Sequence, residues 1–298
     1  MSELLHDWAT TMDDAVAALS APPASPVGGA PLRVGVDLGT AFTVLFALDE
    51  QGRPLAGAYE RTDVVRDGVV VDFAGAVEVL RGLRAQVERR LGTTLTCAQG
   101  AYPPGVPQSE VRAVRYVIEG ADLQCTGLVD EPSAANAVLR LWDGVIVDVG
   151  GGTTGVAVIQ DGQVVHTADS PTGGTHLTLV IAGAHHVDIE RAESMKCDPA
   201  QQPALLPVVR PVMEKVATIV AKATAAYSVT RVHLVGGSVA FPGFADVVSS
   251  VTGWQVSVPP SPLLVTPLGI AASAPAVAGG APRPRGPVPW VPTQRIDN

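Results

Sequence analysis

The chain is poor in several residue types, and each shortage excludes a class of protein. Its three cysteines, Cys97, Cys125 and Cys197, form no Cys-x-x-Cys pair, so neither a disulfide framework nor a zinc site of that spacing is predicted. Only three lysines occur, and the net charge of −9 disfavours a surface for nucleic acid or an anionic membrane. The cysteines are therefore expected to be reduced, buried thiols of a cytoplasmic protein.

Long apolar runs are also missing. No run approaches the roughly 18 residues that a membrane helix needs, and the first 32 residues contain neither Lys nor Arg, which argues against a Sec-type signal. Apolar residues make up 47% of the chain but aromatic residues only 4%, so the core is expected to consist of Val, Ala and Leu. A chain of 298 residues is long enough for two lobes and a substantial core.

Two short stretches share one pattern, at residues 34–40 and 147–154. In each, an apolar run ends at an aspartate, Asp37 or Asp148, and enters a glycine turn that closes with Thr. A second apolar run and a polar turn follow in both places. This order of strand, glycine turn, strand and turn is typical of a β-meander, and two matched copies indicate an internal duplication.

Glycine turns of this kind suit a negatively charged ligand. Because glycine has no Cβ, backbone N–H groups can approach an anion, and two facing turns would hold a polyphosphate between them. Asp37 and Asp148 would then hold the hydrated divalent cation that screens the phosphate charge. A single Asp-Leu-Gly-Thr turn is more often a structural hairpin, but the second copy favours the ligand-binding interpretation.

A third glycine turn follows the apolar run at residues 232–235. Gly236-Gly-Ser238 ends this predicted strand and precedes Phe241-Pro-Gly243 and a predicted helix. A pair of glycines at a strand end allows a flat ring to lie against the backbone, as a nucleoside would require.

Together these motifs resemble, in order, those of the actin/Hsp70/sugar-kinase ATPase superfamily. The matching segments are the two phosphate turns, two inter-lobe connections and the adenosine motif, at residues 37–40, 148–154, 129–135, 267–272 and 236–238. The resemblance covers residues 32–274. It implies an α/β, actin-like ATPase fold of two duplicated RNase H-like lobes, each a mixed sheet flanked by helices, with ATP or ADP and Mg²⁺ in the cleft between them.

Within the superfamily, residues 66–73 and 151–154 are similar to the bacterial actin MreB, and nearly the whole chain resembles the EutJ family of ethanolamine utilization proteins. The second resemblance rests on residues 63–68, 130–132, 150–155, 172–174, 212–215 and 266–268. It implies ethanolamine ammonia-lyase, or shell and cargo proteins of a bacterial microcompartment, as partners. It implies no nucleic-acid or membrane partner, and it allows an oligomer.

The predicted elements and the resemblance divide the chain into parts. These are an amphipathic helix with a Pro/Gly tether (1–31), lobe I (32–142, joined again by 263–278), lobe II (143–262), a helical insertion within lobe II (about 175–230) and a disordered, proline-rich tail (279–298). Only about 14 residues, 60–73, separate the first meander from the helix predicted at 73–91. The insertion that MreB and Hsp70 have in lobe I is therefore strongly reduced.

The resemblance also assigns roles to individual residues. Asp37, Glu131 and Asp148 form the expected catalytic group, with Glu131 near the attacking water and the two aspartates holding Mg²⁺ through water. Glu131 also stands where a helix is predicted to begin, and a carboxylate there is favoured by the helix dipole. The nucleotide is expected to contact Asp37, Gly39, Thr40, Gly150, Gly151, Gly152, Thr153, Gly173, Gly174, Glu193, Lys196, Gly236, Gly237 and Ser238.

Two of these residues have an alternative explanation. Glu193 and Lys196 lie one helical turn apart, like the pair that holds the ribose hydroxyls in Hsp70 and MreB relatives. A surface ion pair explains the same spacing.

Three departures from the family pattern indicate low turnover. Relatives carry Asp or Glu two residues after the Gly-Gly-Gly-Thr turn, where this chain has Gly155. No lysine precedes Lys196, so the catalytic lysine of the Hsp70 lobe I is missing, and Ala240 replaces the arginine that stacks on adenine. Loss of a positioned cation weakens transition-state stabilisation, so either slow Mg-dependent ATP hydrolysis or nucleotide binding with little hydrolysis is expected.

The N-terminal segment has an apolar stripe at helical spacing, formed by Leu5, Trp8, Met12, Ala15 or Val16, and Leu19. One interpretation is a docking peptide on a flexible tether, similar to the terminal helices that direct cargo into microcompartments. The other is a helix that caps the fold.

Three functions fit the resemblance. A nucleotide-dependent chaperone or assembly factor for ethanolamine degradation, cytoplasmic or associated with a microcompartment, is favoured. A polymerising scaffold of the MreB kind is less favoured. In relatives the lobe I insertion contributes to filament contacts, and in this chain that insertion is strongly reduced. A small-molecule kinase is least favoured, because such enzymes are usually larger.

Overall fold

The computed structural model describes residues 2–21, 23, 27–66 and 68–280, and for residues 2–7 it describes the backbone alone. Helices and strands alternate along most of this length. The helices are α1 (Ser2–Ser20), α2 (Phe73–Leu91), α3 (Gln108–Gly120), α4 (Glu131–Leu139), α5 (Gly174–His185), α6 (Ile189–Cys197), α7 (Gln202–Ala223), α8 (Phe244–Thr252) and α9 (Val265–Ser273). Short 3₁₀ turns lie at Gly237–Ala240 and Pro262–Leu264.

The strands form two large sheets and one short hairpin. They are β1 (Pro31–Leu38), β2 (Phe42–Leu48), β3 (Pro54–Arg61), β4 (Val65–Arg66), β5 (Val69–Val70), β6 (Cys97–Tyr102), β7 (Gln124–Asp130), β8 (Gly144–Val149), β9 (Thr154–Gln160), β10 (Gln163–Ser170), β11 (Arg231–Val235), β12 (Gln255–Ser257) and β13 (Val277–Ala278). The hairpin β4–β5 occupies the short segment before α2.

Both large sheets share one topology of five strands, and in lobe I β13 also pairs with the start of β1. The lobe I sheet has the order β3-β2-β1-β6-β7, and the lobe II sheet has the order β10-β9-β8-β11-β12. In each, a three-stranded antiparallel meander is followed by two parallel strands. The predicted duplication into two meanders with mixed sheets and flanking helices is therefore confirmed, and so is the helix predicted at 73–91.

The two-residue period of the strands directs side chains to two different cores. On β2, Leu45 and Ala47 belong to the lobe I core, whereas Val44, Phe46 and Leu48 belong to a central core between the two sheets. The other sheet contributes Ile146, Ala157 and Ile159 to the same central core. The helices α4 and α9 supply its middle layer, so they link the two lobes.

The same period explains why the two motif aspartates face each other. On β1, Val34 and Val36 point into the lobe I core, so Gly35 and Asp37 lie on the opposite face. Gly35 packs directly against Ala271 of α9. On β8, Ile146 points into the central core and Asp148 follows on that face. Each aspartate therefore stands at the end of a strand on the side of its sheet that faces the other lobe.

The N-terminal helix α1 packs against the body of the protein. Trp8, Met12, Ala15 and Ala18 are buried in the central core, and the Trp8 indole donates to the Leu139 carbonyl at 3.2 Å. This contact makes the docking-peptide interpretation wrong for that face, because its apolar residues are already covered. The alternative, a helix that caps the fold, is what the structure shows.

Two predictions from the sequence, the N-terminal helix with its tether and the disordered tail, fall partly outside the described residues. The Leu5 side chain and tether residues 22 and 24–26 lie outside them, as do residues 281–298 of the predicted disordered tail. The first tail residues are ordered, however, because Gly280 pairs with Thr94 through backbone hydrogen bonds of 3.0 and 3.3 Å. None of the described helices is long and apolar enough to span a membrane.

Candidate functional site

A cleft of about 840 Å³ opens between the two sheets, a volume typical of sites for small organic ligands. Its lining contains every predicted site residue except Gly173. The lining members are Asp37, Gly39, Thr40, Glu131, Asp148, Gly150, Gly151, Gly152, Thr153, Gly174, Glu193, Lys196, Gly236, Gly237 and Ser238. Residues that are remote in sequence thus meet in one place, whereas their individual roles remain predictions.

Three carboxylates form the floor of the cleft. Asp37 and Asp148 are the next-to-last residues of β1 and β8, and Glu131 is the first residue of α4. The helix cap itself is the neighbouring Asp130, whose side chain accepts from the Ser133 backbone N–H at 3.0 Å. Because Asp130 already caps the helix, the Glu131 side chain is available to the cleft.

Burial raises the pKa of each of these three acids, and repulsion from neighbouring carboxylates adds to the shift for Asp37 and Glu131. The pKa of Asp37 rises to about 7, mainly through burial and then through the charge of Asp148. For Glu131, burial raises the pKa well above the usual value, and Asp37 and Asp148 raise it further. Burial also raises the pKa of Asp148, although a hydrogen bond from Thr266 opposes this. The floor therefore favours protons or a cation.

The two phosphate turns have matching geometry and face each other. In the first, the Gly39 N–H donates to the Phe42 carbonyl at 3.0 Å; in the second, the Gly150 N–H donates to the Thr153 carbonyl at the same distance. A Cβ placed on Gly151 would lie 3.0 Å from the Ala41 Cβ. The turns therefore approach each other so closely that side chains at their tips would fill the gap.

The start of α5 supports the second turn from behind. The N–H groups of Gly174 and Thr175 donate to the carbonyls of Gly150 and Gly151 at 2.9 and 2.8 Å. A Cβ on Gly173 would lie 2.7 Å from the Gly150 oxygen, so glycine is required for this packing. Gly173 thus lies behind the turn and not on the cleft surface.

The adenosine motif requires glycine for two reasons. Gly236 has a positive φ of 91°, and a Cβ there would overlap the Asp148 carboxylate. Ser238 donates to the Gly150 carbonyl at 2.7 Å, which links this motif to the phosphate turn.

Glu193 and Lys196 form a mostly buried ion pair on the wall of the cleft. Their side chains are 18% and 16% exposed, and Glu193 Oε2 lies 2.7 Å from Lys196 Nζ. Burial alone would raise the pKa of Glu193, but Lys196, Thr178 and Arg61 outweigh it and lower the pKa. This position does not fit the alternative of a plain surface pair.

Sequence reasoning missed three residues around the cleft. Thr266 of α9 donates to Asp148, and Arg61 at the end of β3 pairs with Glu193 from the opposite lobe at 3.1 Å. Asp169 of β10 stands opposite Gly155 in the strand register. The expectation of buried thiols is wrong for Cys197, which is exposed at the cleft. None of the three missed residues had a signal in the sequence, since equal spacing about the 160–162 turn would pair Gly155 with Ala168, and only the register shift between Val164 and His166 brings Asp169 opposite Gly155.

No three His, Cys, Asp or Glu side chains within the described part of the chain are placed to bind a metal ion directly. The floor nevertheless fits a hydrated divalent cation, because the buried Asp148 and the partly buried Asp37 and Glu131, all with raised pKa values, lie together there. One carboxylate oxygen, Asp169 Oδ1, is buried without a hydrogen-bond partner in this region.

These features, two duplicated lobes with paired aspartate–glycine turns over one cleft, define a protein of the actin-like ATPase fold. The pattern of the MreB/Mbl protein family matches residues 58–187, and that of the cell division protein FtsA matches residues 145–278. MreB 5 of Spiroplasma citri bound to AMPPNP has a TM-score of 0.61 at 15% identity, over 79% of this chain and 93% of that one, which shows the shared fold.

Closer relatives identify the family. The ethanolamine utilization protein EutJ of Salmonella typhimurium is 39% identical over 93% of this chain and 99% of its own length, and that of Escherichia coli is 39% identical over 82% and 86%. The crystal structure of EutJ from Carboxydothermus hydrogenoformans has a TM-score of 0.84 at 43% identity, covering 90% of this chain and 98% of that chain. The chain belongs to the EutJ family.

Proposed function

We propose that this protein binds ATP or ADP together with Mg²⁺ in the inter-lobe cleft and acts in ethanolamine utilization as a nucleotide-dependent chaperone or assembly factor. The observation that carries nucleotide binding is the pair of facing glycine turns above three converging carboxylates. Such turns suit phosphates, and the acids suit the cation that accompanies them.

Each part of the cleft has a role in this proposal. The turns at Gly39 and Gly150 bind the phosphates, and Asp37 and Asp148 hold Mg²⁺ through its water molecules. When bound, Mg²⁺ neutralises charge on the phosphate oxygens. Glu131, which lines the same cleft and interacts with both aspartates, would orient the attacking water.

The remaining wall would recognise the nucleoside. Glu193 and Lys196 bind the ribose hydroxyls, which replace part of their present contacts with Thr178 and Arg61. The backbone at Gly236, Gly237 and Ser238 provides a flat surface for the base. Hydrolysis is slow in this proposal, since the cations lining the cleft are Arg61 and Lys196, and both are already paired with Glu193.

The biological role rests on the family name and is a separate part of the proposal. Ethanolamine ammonia-lyase and the shell or cargo proteins of a bacterial microcompartment are the proposed clients, and the protein acts in the cytoplasm or at the microcompartment. Its nucleotide state would control client binding through the angle between the lobes, because α4 and α9 connect both sheets.

Nucleotide titration tests the site. Wild type should bind a fluorescent ADP in Mg²⁺, and Asp37→Asn and Asp148→Asn should each weaken this affinity about tenfold or more, as loss of groups around a metal does. In EDTA the same variants should differ little from wild type. Asp246→Asn removes an exposed carboxylate from α8 and serves as the control. Equal Mg-dependent affinity in all four proteins would defeat the assignment.

Client capture and sedimentation test the role. Ethanolamine ammonia-lyase should be retained differently in ADP and in a non-hydrolysable ATP analogue. Filaments that sediment only with ATP would support the MreB-like scaffold instead, and phosphoryl transfer to a small acceptor would support a kinase.

A further inference from the structure

The lobe II meander lacks a carboxylate at Gly155, yet the neighbouring strand supplies one at nearly the same place. Gly155 on β9 and Asp169 on β10 are directly opposite in the antiparallel register. Side chains of such a pair stand on the same face of the sheet, about 5 Å apart at Cβ. Asp169 therefore points to the face where a side chain at residue 155 would point.

Space around Gly155 is open to this carboxylate. A Cβ placed on Gly155 would meet Pro132 at 3.5 Å, Pro104 at 3.7 Å and Asp169 Oδ1 at 3.9 Å, all ordinary van der Waals distances. Packing thus does not explain why residue 155 is glycine. The Asp169 carboxylate already reaches the space that a longer side chain at 155 would enter, beside the residue that follows Glu131.

The surroundings of Asp169 leave one oxygen without a partner. The Thr153 side chain and the Ser170 backbone are near its carboxylate and lower its pKa against the effect of burial. Its Oδ1 is nevertheless buried and has no hydrogen-bond partner among the described residues. An unpaired buried carboxylate oxygen is costly, and a bound cation or its water would remove that cost.

Charge coupling places Asp169 in the same cluster as the floor acids. Burial, and to a smaller extent the charge of Asp148, raises the pKa of Asp169 to about 6. Asp169 in turn raises the pKa of Glu131. These mutual effects occur because the groups are close and partly shielded from water.

We infer that Asp169 is a fourth cation-facing carboxylate of the cleft, supplying from β10 the negative charge that the chain lacks at Gly155. The inference rests on the proposed function, because it requires a divalent cation with the nucleotide. Asp169 acts on the hydrated cation and so positions it for Asp148 and Glu131. A structural role, in which Asp169 only interacts with Thr153, predicts a different response to substitution.

The test uses Mn²⁺, measured by electron paramagnetic resonance with saturating ADP, as the probe. Asp169→Asn keeps the size of the side chain and removes the charge, so it should weaken Mn²⁺ binding about tenfold or more. Affinity for ADP in EDTA should stay within about twofold of wild type, because the nucleotide contacts are unchanged. Asp161→Asn removes the same charge from the exposed turn of the same hairpin and should change neither quantity.

A charge-relocation variant separates the cation role from a structural one. Gly155→Asp combined with Asp169→Asn should recover most of the lost Mn²⁺ affinity, which a structural role would not do. Undiminished Mn²⁺ affinity in Asp169→Asn, or no recovery in the folded double variant, would overturn the inference while ADP binding by wild type upholds the proposed function. Absence of ADP and Mn²⁺ binding in wild type would overturn both.

Discussion

Arg61 and Glu193 form an ion pair across the cleft, with 3.1 Å between Arg61 Nη2 and Glu193 Oε1. Arg61 ends β3 of the lobe I sheet, and Glu193 belongs to α6 of lobe II. The pair therefore connects the two walls of the cleft at the proposed ribose position. Since the Arg61 side chain is 56% exposed, the pair is weak enough to open during ligand entry.

The first prediction concerns this pair. Arg61→Ala should accelerate association of a fluorescent ADP about two- to fivefold at low salt, because an exposed ion pair contributes about 1 kcal/mol or less. High salt should bring wild type towards the variant. Stopped-flow fluorescence measures both effects. Arg53→Ala, which removes an exposed i,i+4 pair with Asp49, is the control. Slower association in Arg61→Ala would show instead that Arg61 attracts the nucleotide.

The second prediction separates chemistry from binding at Glu131. Glu131→Gln should lower the single-turnover rate of ATP hydrolysis about a hundredfold, because a group that orients the attacking water acts in the transition state. Its ATP affinity should change less than about twofold. Asp130→Asn keeps an effective helix cap and should retain most of the rate. Equal losses of affinity and rate in Glu131→Gln would indicate a metal-anchoring or structural role, and no hydrolysis by wild type would remove the ATPase claim.

The third prediction concerns α1. Met12 is 1% exposed in the central core, so Met12→Ala should lower the free energy of unfolding by about 2–5 kcal/mol. Val16, on the same helix, is 47% exposed, and Val16→Ala should change the free energy of unfolding by less than about 0.5 kcal/mol. Urea denaturation measures both. Equal stability of the two variants would mean that α1 is detached in solution and would revive the docking interpretation.

The fourth prediction concerns the crossing of the two connecting helices. A Cβ on Gly269 of α9 would overlap the Ala134 carbonyl of α4, so Gly269→Ala should destabilise the fold by about 1–3 kcal/mol. Gly183 of α5 has no atom within 4 Å of such a Cβ, and Gly183→Ala should stabilise by about 0.4–1 kcal/mol. Thermal unfolding measures the stability of both variants. If Gly269→Ala and Gly183→Ala changed the stability in the same direction, the close approach of α4 and α9 would be contradicted.

The fifth prediction is a pH dependence at His233. Burial, and then the charge of Arg231, lowers its pKa from 6.5 to about 4. The ring contacts the edge of Trp8 and shares a hydrogen bond with Ser257. A depressed folded-state pKa means that the stability contribution of neutral His233 is complete above pH 6.5 and is lost as the pH falls towards 4.

The cleft carboxylates work in the opposite direction, because their raised pKa values make the fold gain stability as they are protonated. A comparison with His233→Gln isolates the histidine. Relative to this variant, wild type should lose about 2 kcal/mol of unfolding free energy between roughly pH 7 and pH 5. His185→Gln, at an exposed helix end, is the control. Parallel pH profiles of wild type and His233→Gln would contradict the prediction.

The sequence by itself determined the two meanders, the class of fold and the motif residues that meet in the cleft. These features depend on local patterns: the two-residue period of apolar residues forms each strand, and glycine after Asp37 or Asp148 forms each turn. Because the same period also decides which face a residue occupies, the sequence placed both aspartates on corresponding faces. The duplication then implied that these faces meet.

Only the tertiary structure decided which distant segments are in contact, because nothing in the sequence of one segment shows which other segment it will meet. The apolar stripe of α1 predicted a buried face but not the surface that covers it, and Trp8 meets Leu139 only after the lobes assemble. Asp169 reaches the space beside Gly155 through the register of β9 and β10, and Arg61 reaches Glu193 across the cleft. Such approaches depend on strand pairing and helix packing over long sequence separations, which side-chain periodicity does not encode.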